Sequence, residues 1–331
     1  MIVLLLGCVD LLADQSPYLD SPRLLALRAE PPEVAEGQSQ QLYALAADAT
    51  GPLSSFAVDW SLCRSPRPPA ELGPVAQDCL EGDALEPLGA GLELEVILPE
   101  DACSLFGPNP PPPQEGESAG RPVDPDVTGG YYQPILGFSD QGPLLLHSSR
   151  LRCGLANVSQ ELYVAWNRLY HNNQNPEIAA LELDGAALTP DDLSAAPVVS
   201  AGAELPLRLS WPACPVEDTC GDAVCGATED RELCPQDCTE ALGCAGAERY
   251  VVYDTETEAL LPQRESLSVA WYATGGAFLD ARSGRASEDT ETMVENNWTA
   301  PEQPGPVWVA AVLRDARGGL SYRGYWIQVG P

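Results

Sequence analysis

The residues best suited to chemistry lie in a short stretch that also carries six of the eleven cysteines. Residues 214–244 read CPVEDTCGDAVCGATEDRELCPQDCTEALGC, with the carboxylates Asp222, Glu229, Asp230 and Asp237 between the cysteines. Calcium prefers oxygen ligands of this kind, and cross-links between the cysteines would hold them in place. We predict no cofactor, and calcium bound by these four residues is the one candidate that the spacing offers. The alternative is that the aspartates only cap turns.

The sequence lacks the residues and motifs that other metal sites and common catalytic sites require. A zinc site is disfavoured because the stretch has no histidine and no CxxC pair. His147 lies in a strand pattern and His171 at the end of a helix pattern, where neither needs a catalytic role. No HExxH, GxSxG, GxGxxG or Walker motif occurs, and the absence of lysine excludes P-loop and Schiff-base enzymes. We therefore predict that the protein is not an enzyme.

The strongly acidic charge balance disfavours nucleic acids and anionic membrane surfaces as partners. All 17 basic residues are arginines and they face 49 acidic residues, which gives a net charge of −32. Nucleic-acid binding depends on clustered basic groups, so we expect no nucleic-acid partner. Electrostatic docking on an anionic bilayer is disfavoured for the same reason.

The first eight residues carry a different signal. They read MIVLLLGC, a short apolar run that ends in Gly7 and Cys8. This run resembles the lipobox of bacterial lipoproteins, in which a small residue precedes a cysteine that receives a lipid. The resemblance implies lipidation of Cys8, a signal segment over 1–8 and a tether over 9–21. It also implies a lipid-anchored protein in the cell envelope, at the outer membrane or the cell surface of a Gram-negative bacterium. The alternative is a buried N-terminal strand with an ordinary core cysteine.

The remaining ten cysteines predict disulfides. An even number in an exported chain is most simply five cross-links. The ten residues are Cys63, Cys79, Cys103, Cys153, Cys214, Cys220, Cys225, Cys234, Cys238 and Cys244. Loop geometry favours the pairs Cys63–Cys79 and Cys103–Cys153, while the pairing of the other six stays open.

Composition and periodicity predict an all-β fold. The chain contains 32 prolines and 29 glycines, which punctuate short runs rich in Val, Leu, Trp and Tyr. Within 56–63 the apolar residues alternate, which is the period of a strand with one buried face. Trp60 in this run corresponds to the tryptophan on the third strand of an immunoglobulin-like sandwich. We therefore predict two immunoglobulin-like β-sandwiches joined by one short helix, with a disulfide-rich insertion in the second.

The predicted organisation follows from these shifts in pattern. The first sandwich covers 22–154 and contains a Pro-rich loop over 107–127. A linker helix follows over 155–174. The second sandwich covers 175–331 and contains the cysteine-rich insertion over 212–247.

The linker segment is the one place where the apolar period changes to that of a helix. Val158, Leu162, Trp166 and Leu169 fall on one stripe, and Asn157 is the expected N-cap. We expect this helix to pack on a sandwich and to fix the angle between the two units. The alternative is a helix that binds a partner.

Two motifs carry a family resemblance. The stretch from Trp298 to Gly319, with its WTAP strand end and DARGG hairpin, resembles the end of bacterial PKD or immunoglobulin-like domains. The core of the insertion, from Cys220 to Cys238, resembles the CGDxxC…CPxDC modules of secreted myxobacterial proteins. The chain is thus similar to envelope lipoproteins of myxobacterial type, a resemblance that implies fold and location but no activity.

Three functions remain open at this level. The first is a non-catalytic binding, adhesion or scaffold module whose partner is an unknown envelope protein or a glycan. The second is a calcium- or carbohydrate-binding module, with Tyr131, Tyr132, Tyr322, Tyr325 and Trp326 as an exposed aromatic platform for a sugar. The third is a hydrolase, which would need a deep cleft lined with carboxylates.

Overall fold

The structure is a computed structural model. It describes residues 16–67, 71, 73–108, 126–140, 144–221, 224–230, 232–238 and 243–331. Strands dominate these residues and form two β-sandwiches, so the prediction of an all-β, disulfide-rich fold is confirmed. Cys8 and most of the Pro-rich loop lie outside the described residues.

The first sandwich contains nine strands and two short helices. They are β1 (Arg23–Glu30), β2 (Glu33–Val34), β3 (Ser39–Asp48), β4 (Gly51–Pro52), β5 (Asp59–Cys63), α1 (Gln77–Glu81), β6 (Leu85–Ala90), β7 (Glu93–Ile97), α2 (Ala102–Phe106), β8 (Gly130–Phe138) and β9 (Leu145–Arg152). Sheet one has the order β1-β3-β4, with β7 also paired to β3, and sheet two has the order β2-β9-β8-β5-β6. Trp60 lies fully buried in the core between these sheets, as the alternation in 56–63 predicts.

A helix and twelve strands follow. They are α3 (Gln160–Leu169), β10 (Ala180–Leu183), β11 (Ala186–Ala187), β12 (Val198–Ser200), β13 (Glu204–Ser210), β14 (Arg249–Asp254), β15 (Ala259–Arg264), β16 (Leu267–Ala273), β17 (Ala277–Phe278), β18 (Arg282–Arg285), β19 (Met293–Thr299), β20 (Gly305–Asp315) and β21 (Leu320–Gly330). Sheet three has the order β12-β21-β20-β16-β18, and sheet four has the order β11-β10-β13-β19-β17. The hairpin β14–β15 stands apart from both sheets.

The two sandwiches share a buried face. In β20, Val307, Val309 and Ala311 point into the core between sheets three and four. Trp308 and Ala310, which alternate with them, point to the other side and pack on residues of β1 and β3. The four sheets therefore stack in the order two, one, three, four. The continuous apolar run of β20 reflects this burial on both faces, because a strand with one wet face would alternate.

The start of the described chain also crosses between the sandwiches. Ala273 at the end of β16 donates its backbone N–H to the carbonyl of Pro17 at 2.7 Å. Its own carbonyl accepts the backbone N–H of Leu19 at 2.8 Å. Residues 17–19, predicted as part of a tether, are therefore hydrogen-bonded to the second sandwich.

Helix α3 begins two residues later than predicted. Ser159, not Asn157, is the N-cap, and its hydroxyl accepts the backbone N–H of Leu162 at 3.2 Å. Asn157 has a left-handed backbone with φ 55°, whereas an N-cap residue is normally extended. The helix packs on the β14–β15 hairpin, and its Trp166 also lies against Gly129 and Arg152 at the edge of the first sandwich. Within the described part of the chain, no helix is long and apolar enough to cross a membrane.

The structure contains five disulfides. Cys63 is joined to Cys79 and Cys103 to Cys153, the two pairs that loop geometry favours. In the insertion, the three pairs are Cys214–Cys244, Cys220–Cys234 and Cys225–Cys238. The outermost pair closes the neck of the insertion, so the cysteine-rich module has its own cross-linked base.

Candidate functional site

A buried ion pair lies where the first sandwich meets helix α3. Glu33 of β2 and Arg150 of β9 are register partners, and the Arg150 Nε lies 3.2 Å from a Glu33 oxygen. Both side chains are almost fully buried. The hydroxyl of Tyr170, the residue after α3, donates to the other Glu33 oxygen, and Arg150 also donates to the Tyr132 hydroxyl at 2.9 Å. The carboxylate and the guanidinium are therefore compensated, as buried charges require.

A second buried cluster belongs to the second sandwich and its hairpin. The Arg317 guanidinium donates to Glu265 at 2.8 Å and also contacts Glu248, and all three side chains are buried. Arg317 further donates to the carbonyl of His171 at 3.3 Å, while its own carbonyl accepts the Tyr132 hydroxyl at 3.4 Å. The two clusters are thus joined through Tyr132 and the end of the linker, and together they form the polar junction between the sandwiches.

The polar junction contains more carboxylates than guanidinium groups. Burial raises the pKa of Glu248 to about 7 and raises the pKa of Glu265 well above its ordinary value, against the opposing attraction of Arg317. Burial also raises the pKa of Asp315, which accepts hydrogen bonds from the Asn173 amide. Because their oxygens accept from guanidinium, amide and backbone groups, these carboxylates stabilise the junction rather than line an open cleft.

These shifts predict that stability falls as the pH rises. A carboxyl whose folded pKa is raised contributes stability that is complete below its unfolded pKa of 4.5 and is lost as pH rises through the folded value of about 7. We expect the free energy of unfolding to drop by on the order of 2–3 kcal/mol between about pH 5 and pH 8. Denaturant titrations across this range measure it.

The matched variants for this prediction are Glu248→Gln, which cannot ionise, and Glu288→Gln at an exposed position. The first should flatten the pH dependence and the second should leave it unchanged. A wild-type stability that rises over this range would contradict the assignment of raised pKa values in the polar junction.

The cysteine-rich module docks onto helix α3 and the hairpin. Arg168 of α3 donates to Asp230 at 2.9 Å and also contacts Glu232. Arg249 of β14 pairs with Asp218 at 3.0 Å. These contacts hold the module against the polar junction at one side of the sandwiches.

The structure describes three of the four predicted calcium ligands and brings two of them together. Asp222 lies outside the described residues. Asp230 is engaged by Arg168 and also accepts the backbone N–H groups of Glu232 and Leu233, so it caps a turn. Glu229 and Asp237 do come together, with carboxylate oxygens within 4.8 Å of each other and of the Cys220–Cys234 sulfurs.

Calcium is bound by about six to eight oxygen atoms. These two carboxylates supply fewer oxygens than that. The two sulfurs beside them belong to a disulfide and are not thiolate ligands. Glu229 already accepts the N–H of Gly226, and Asp237 accepts the N–H of Gly221. Among the described residues, the arrangement therefore favours turn capping over metal binding.

We accordingly expect millimolar calcium to leave the melting temperature unchanged. Asp237→Asn should destabilise the module equally with and without calcium, because it weakens a charged cap. Thermal unfolding with calcium or with a chelator measures both effects. A calcium-dependent stabilisation that Asp237→Asn abolishes would instead establish a calcium site.

The predicted aromatic platform is not present. Tyr131 and Tyr325 are buried in the two sandwich cores. Tyr322 and Trp326 are half-buried against the layer between the sandwiches, and Tyr132 is half-buried in the polar junction. None of the five side chains is exposed, so they do not form the exposed row of rings that a sugar platform requires.

The two histidines are held neutral. Burial lowers the pKa of His147 to about 4, and burial also lowers the pKa of His171. His171 lies at the module, where its Nε2 is 3.3 Å from the Cys225 sulfur. Because Cys225 is joined to Cys238 in a disulfide, it offers no thiolate for His171 to activate.

Two cavities meet at the polar junction. A groove of about 960 Å³ runs between the sandwiches, past the linker residues 172–177. A smaller cavity of about 410 Å³ lies between α3 and the cysteine-rich module, with His171 in its wall. Arg152 and Tyr170 line both. This pair of cavities is the candidate binding site, because ligands commonly bind where units of a fold meet.

Comparison with known proteins does not assign the chain to a family. No protein-family model matches the chain, and no curated protein matches it. The adhesin InvE of Yersinia pseudotuberculosis is similar at 10% identity and a TM-score of 0.22, with 95% of this chain and 61% of that chain covered. Dimeric latent PorU from Porphyromonas gingivalis is similar at 10% identity and a TM-score of 0.20, with 94% and 34% covered. The chain spans less than two thirds of either structure, and TM-scores of this size support no functional argument.

Sequence reasoning missed the residues of the polar junction. Arg150 and Arg152 lie two residues apart in β9, on the face opposite to Leu151, which points into the first core. That spacing is visible in the sequence and indicates a charged strand face. The acidic partners of Arg150 and Arg317 come from distant segments, so no local pattern could identify Glu33, Glu248 or Glu265.

Proposed function

We propose that this chain is an exported, lipid-anchored protein of the cell envelope that acts as a non-catalytic binding, adhesion or scaffold module. Its partner would be another envelope component, held at the two cavities beside the cysteine-rich module. The observation that carries the proposal is the polar junction, which fixes the two sandwiches, the linker helix and the module against one another. Such an arrangement suits a protein that presents a binding surface at constant geometry.

Three further observations support this proposal. The five disulfides suit an oxidising compartment. The resemblance of residues 1–8 to a lipobox supports anchoring at Cys8. The buried carboxylates of the polar junction, Glu33, Glu248 and Glu265, are engaged by arginines, so they are not placed as free acids or bases.

The anchoring is tested by fractionation of cells that express the whole chain. We expect the wild-type protein in the membrane fraction and Cys8→Ser in the soluble fraction, because the serine cannot form the thioether to the lipid. Gly7→Ala is the matched control, since it keeps a small residue before the cysteine and should remain in membranes. Recovery of Cys8→Ser in the membrane fraction would contradict the proposal.

A further inference from the structure

Arg152 is the last residue of β9, and its guanidinium lies against two aromatic rings. Its central carbon lies 5.3 Å from the ring centroid of Tyr170 and 5.8 Å from that of Trp166. Tyr170 and Trp166 themselves pack together, with centroids 4.4 Å apart. Stacking on aromatic rings orients the planar guanidinium and leaves its N–H groups directed away from the rings.

Unlike its neighbours Arg150 and Arg168, Arg152 forms no ion pair with the carboxylates that the structure describes. Arg150 on the same strand face pairs with Glu33, and Arg168 pairs with Asp230 and Glu232. None of the ion pairs among the described residues includes Arg152, and its one hydrogen bond to them, with Asn167 Oδ1, is 3.5 Å long. Nine of the arginines that the structure describes form an ion pair with a carboxylate, and Arg152 is not among them.

The smaller cavity gives these N–H groups a space to bind into. Its wall contains Arg152, Asn167 and His171 on one side and the Cys225–Cys238 disulfide on the other. Its volume of about 410 Å³ is within the range of small-ligand sites. Because His171 is held neutral and Arg168 is already paired, Arg152 is the cationic side chain of this lining that has no ion pair among the described residues.

We propose that this cavity binds the carboxyl terminus of a peptide, with Arg152 donating two parallel N–H···O bonds to the terminal carboxylate. The inference rests on the proposed binding function and names the partner class for it. A planar guanidinium matches a carboxylate in this bidentate geometry. Asn167 and the backbone at the module lie where they can contact the last residues of the peptide.

Competing ligands fit less well. A phosphate dianion would be repelled more strongly by Asp230 and Glu232, which also line the cavity. A sugar ring would need an aromatic face to stack on, but Arg152 already covers the faces of Tyr170 and Trp166. The terminal carboxylate carries one negative charge and requires no free aromatic face.

The test uses the whole chain and the probe N-acetyl-glycylglycine, compared with the same dipeptide as its C-terminal amide. Ligand-observed NMR titration should give saturable binding of the acid in the millimolar range and at least about tenfold weaker binding of the amide. Arg152→Gln should weaken binding of the acid at least about tenfold. Arg208→Gln, a change at an exposed pair far from the cavity, should leave it unchanged.

Equal binding of acid and amide, or no saturable binding of the acid, would overturn the proposal even if Arg152→Gln fails to fold. Unchanged affinity in a folded Arg152→Gln would overturn it as well. Tighter binding of inorganic phosphate or glucuronate than of the peptide acid would assign the cavity to another ligand. None of these results depends on membrane fractionation of Cys8→Ser, so failure here is distinguishable from failure of the proposed function.

Discussion

Arg317→Ala is expected to lower the free energy of unfolding by about 3–5 kcal/mol, the cost of removing one partner from a buried ion pair. The change leaves Glu248 and Glu265 in the polar junction without their guanidinium. It also removes the hydrogen bond to the carbonyl of His171, which ties the linker to the second sandwich. Denaturant unfolding of the whole chain measures the loss.

The matched control is Arg208→Ala, which removes an arginine from an exposed pair with Glu295. Exposed pairs contribute about 0–1 kcal/mol, so this variant should be close to wild type. In the Arg317→Met background, changing both Glu248 and Glu265 to Gln should recover part of the stability, because no buried charge is then left unpaired. A cost below about 1 kcal/mol for Arg317→Ala would show that the polar junction does not hold the fold together.

Trp308→Ala is expected to cost about 3–5 kcal/mol and to uncouple the two sandwiches. Trp308 is fully buried in the layer between sheets one and three, rather than in either sandwich core. Its removal leaves a cavity where β1 and β3 pack on β20. We expect one unfolding transition in the wild type and two in Trp308→Ala, as followed by calorimetry.

Two variants distinguish the shared layer from the sandwich cores. Gly324→Ala places a Cβ 2.4 Å from the Trp308 Nε1, so it should disturb the same layer at about 1–3 kcal/mol. Trp60→Ala removes a tryptophan of the first core. It should destabilise the first sandwich but leave the contact between the two sandwiches intact. A single transition in Trp308→Ala at wild-type temperature would mean that the sandwiches do not depend on this layer.

Elements that depend on local rules could be predicted from the sequence. Alternating apolar residues in 56–63 predicted a strand, because a strand with one buried face repeats every two residues. The helical stripe predicted α3 to within a few residues, although the cap was assigned to Asn157 instead of Ser159. The pairs Cys63–Cys79 and Cys103–Cys153 followed from loop geometry.

Tertiary structure alone decided the arrangement of the sheets and the candidate site. The apolar run of β20 shows burial on both faces, but the sequence does not say which sheet covers the second face. Glu33 meets Arg150 across 117 positions and Glu265 meets Arg317 across 52, and no local pattern encodes such contacts. The same long-range packing places Arg152 at two cavities with no ion pair among the described residues. Charge neutralisation in a fold is a property of neighbours in space, so the sequence could list the arginines but could not show which of them form ion pairs.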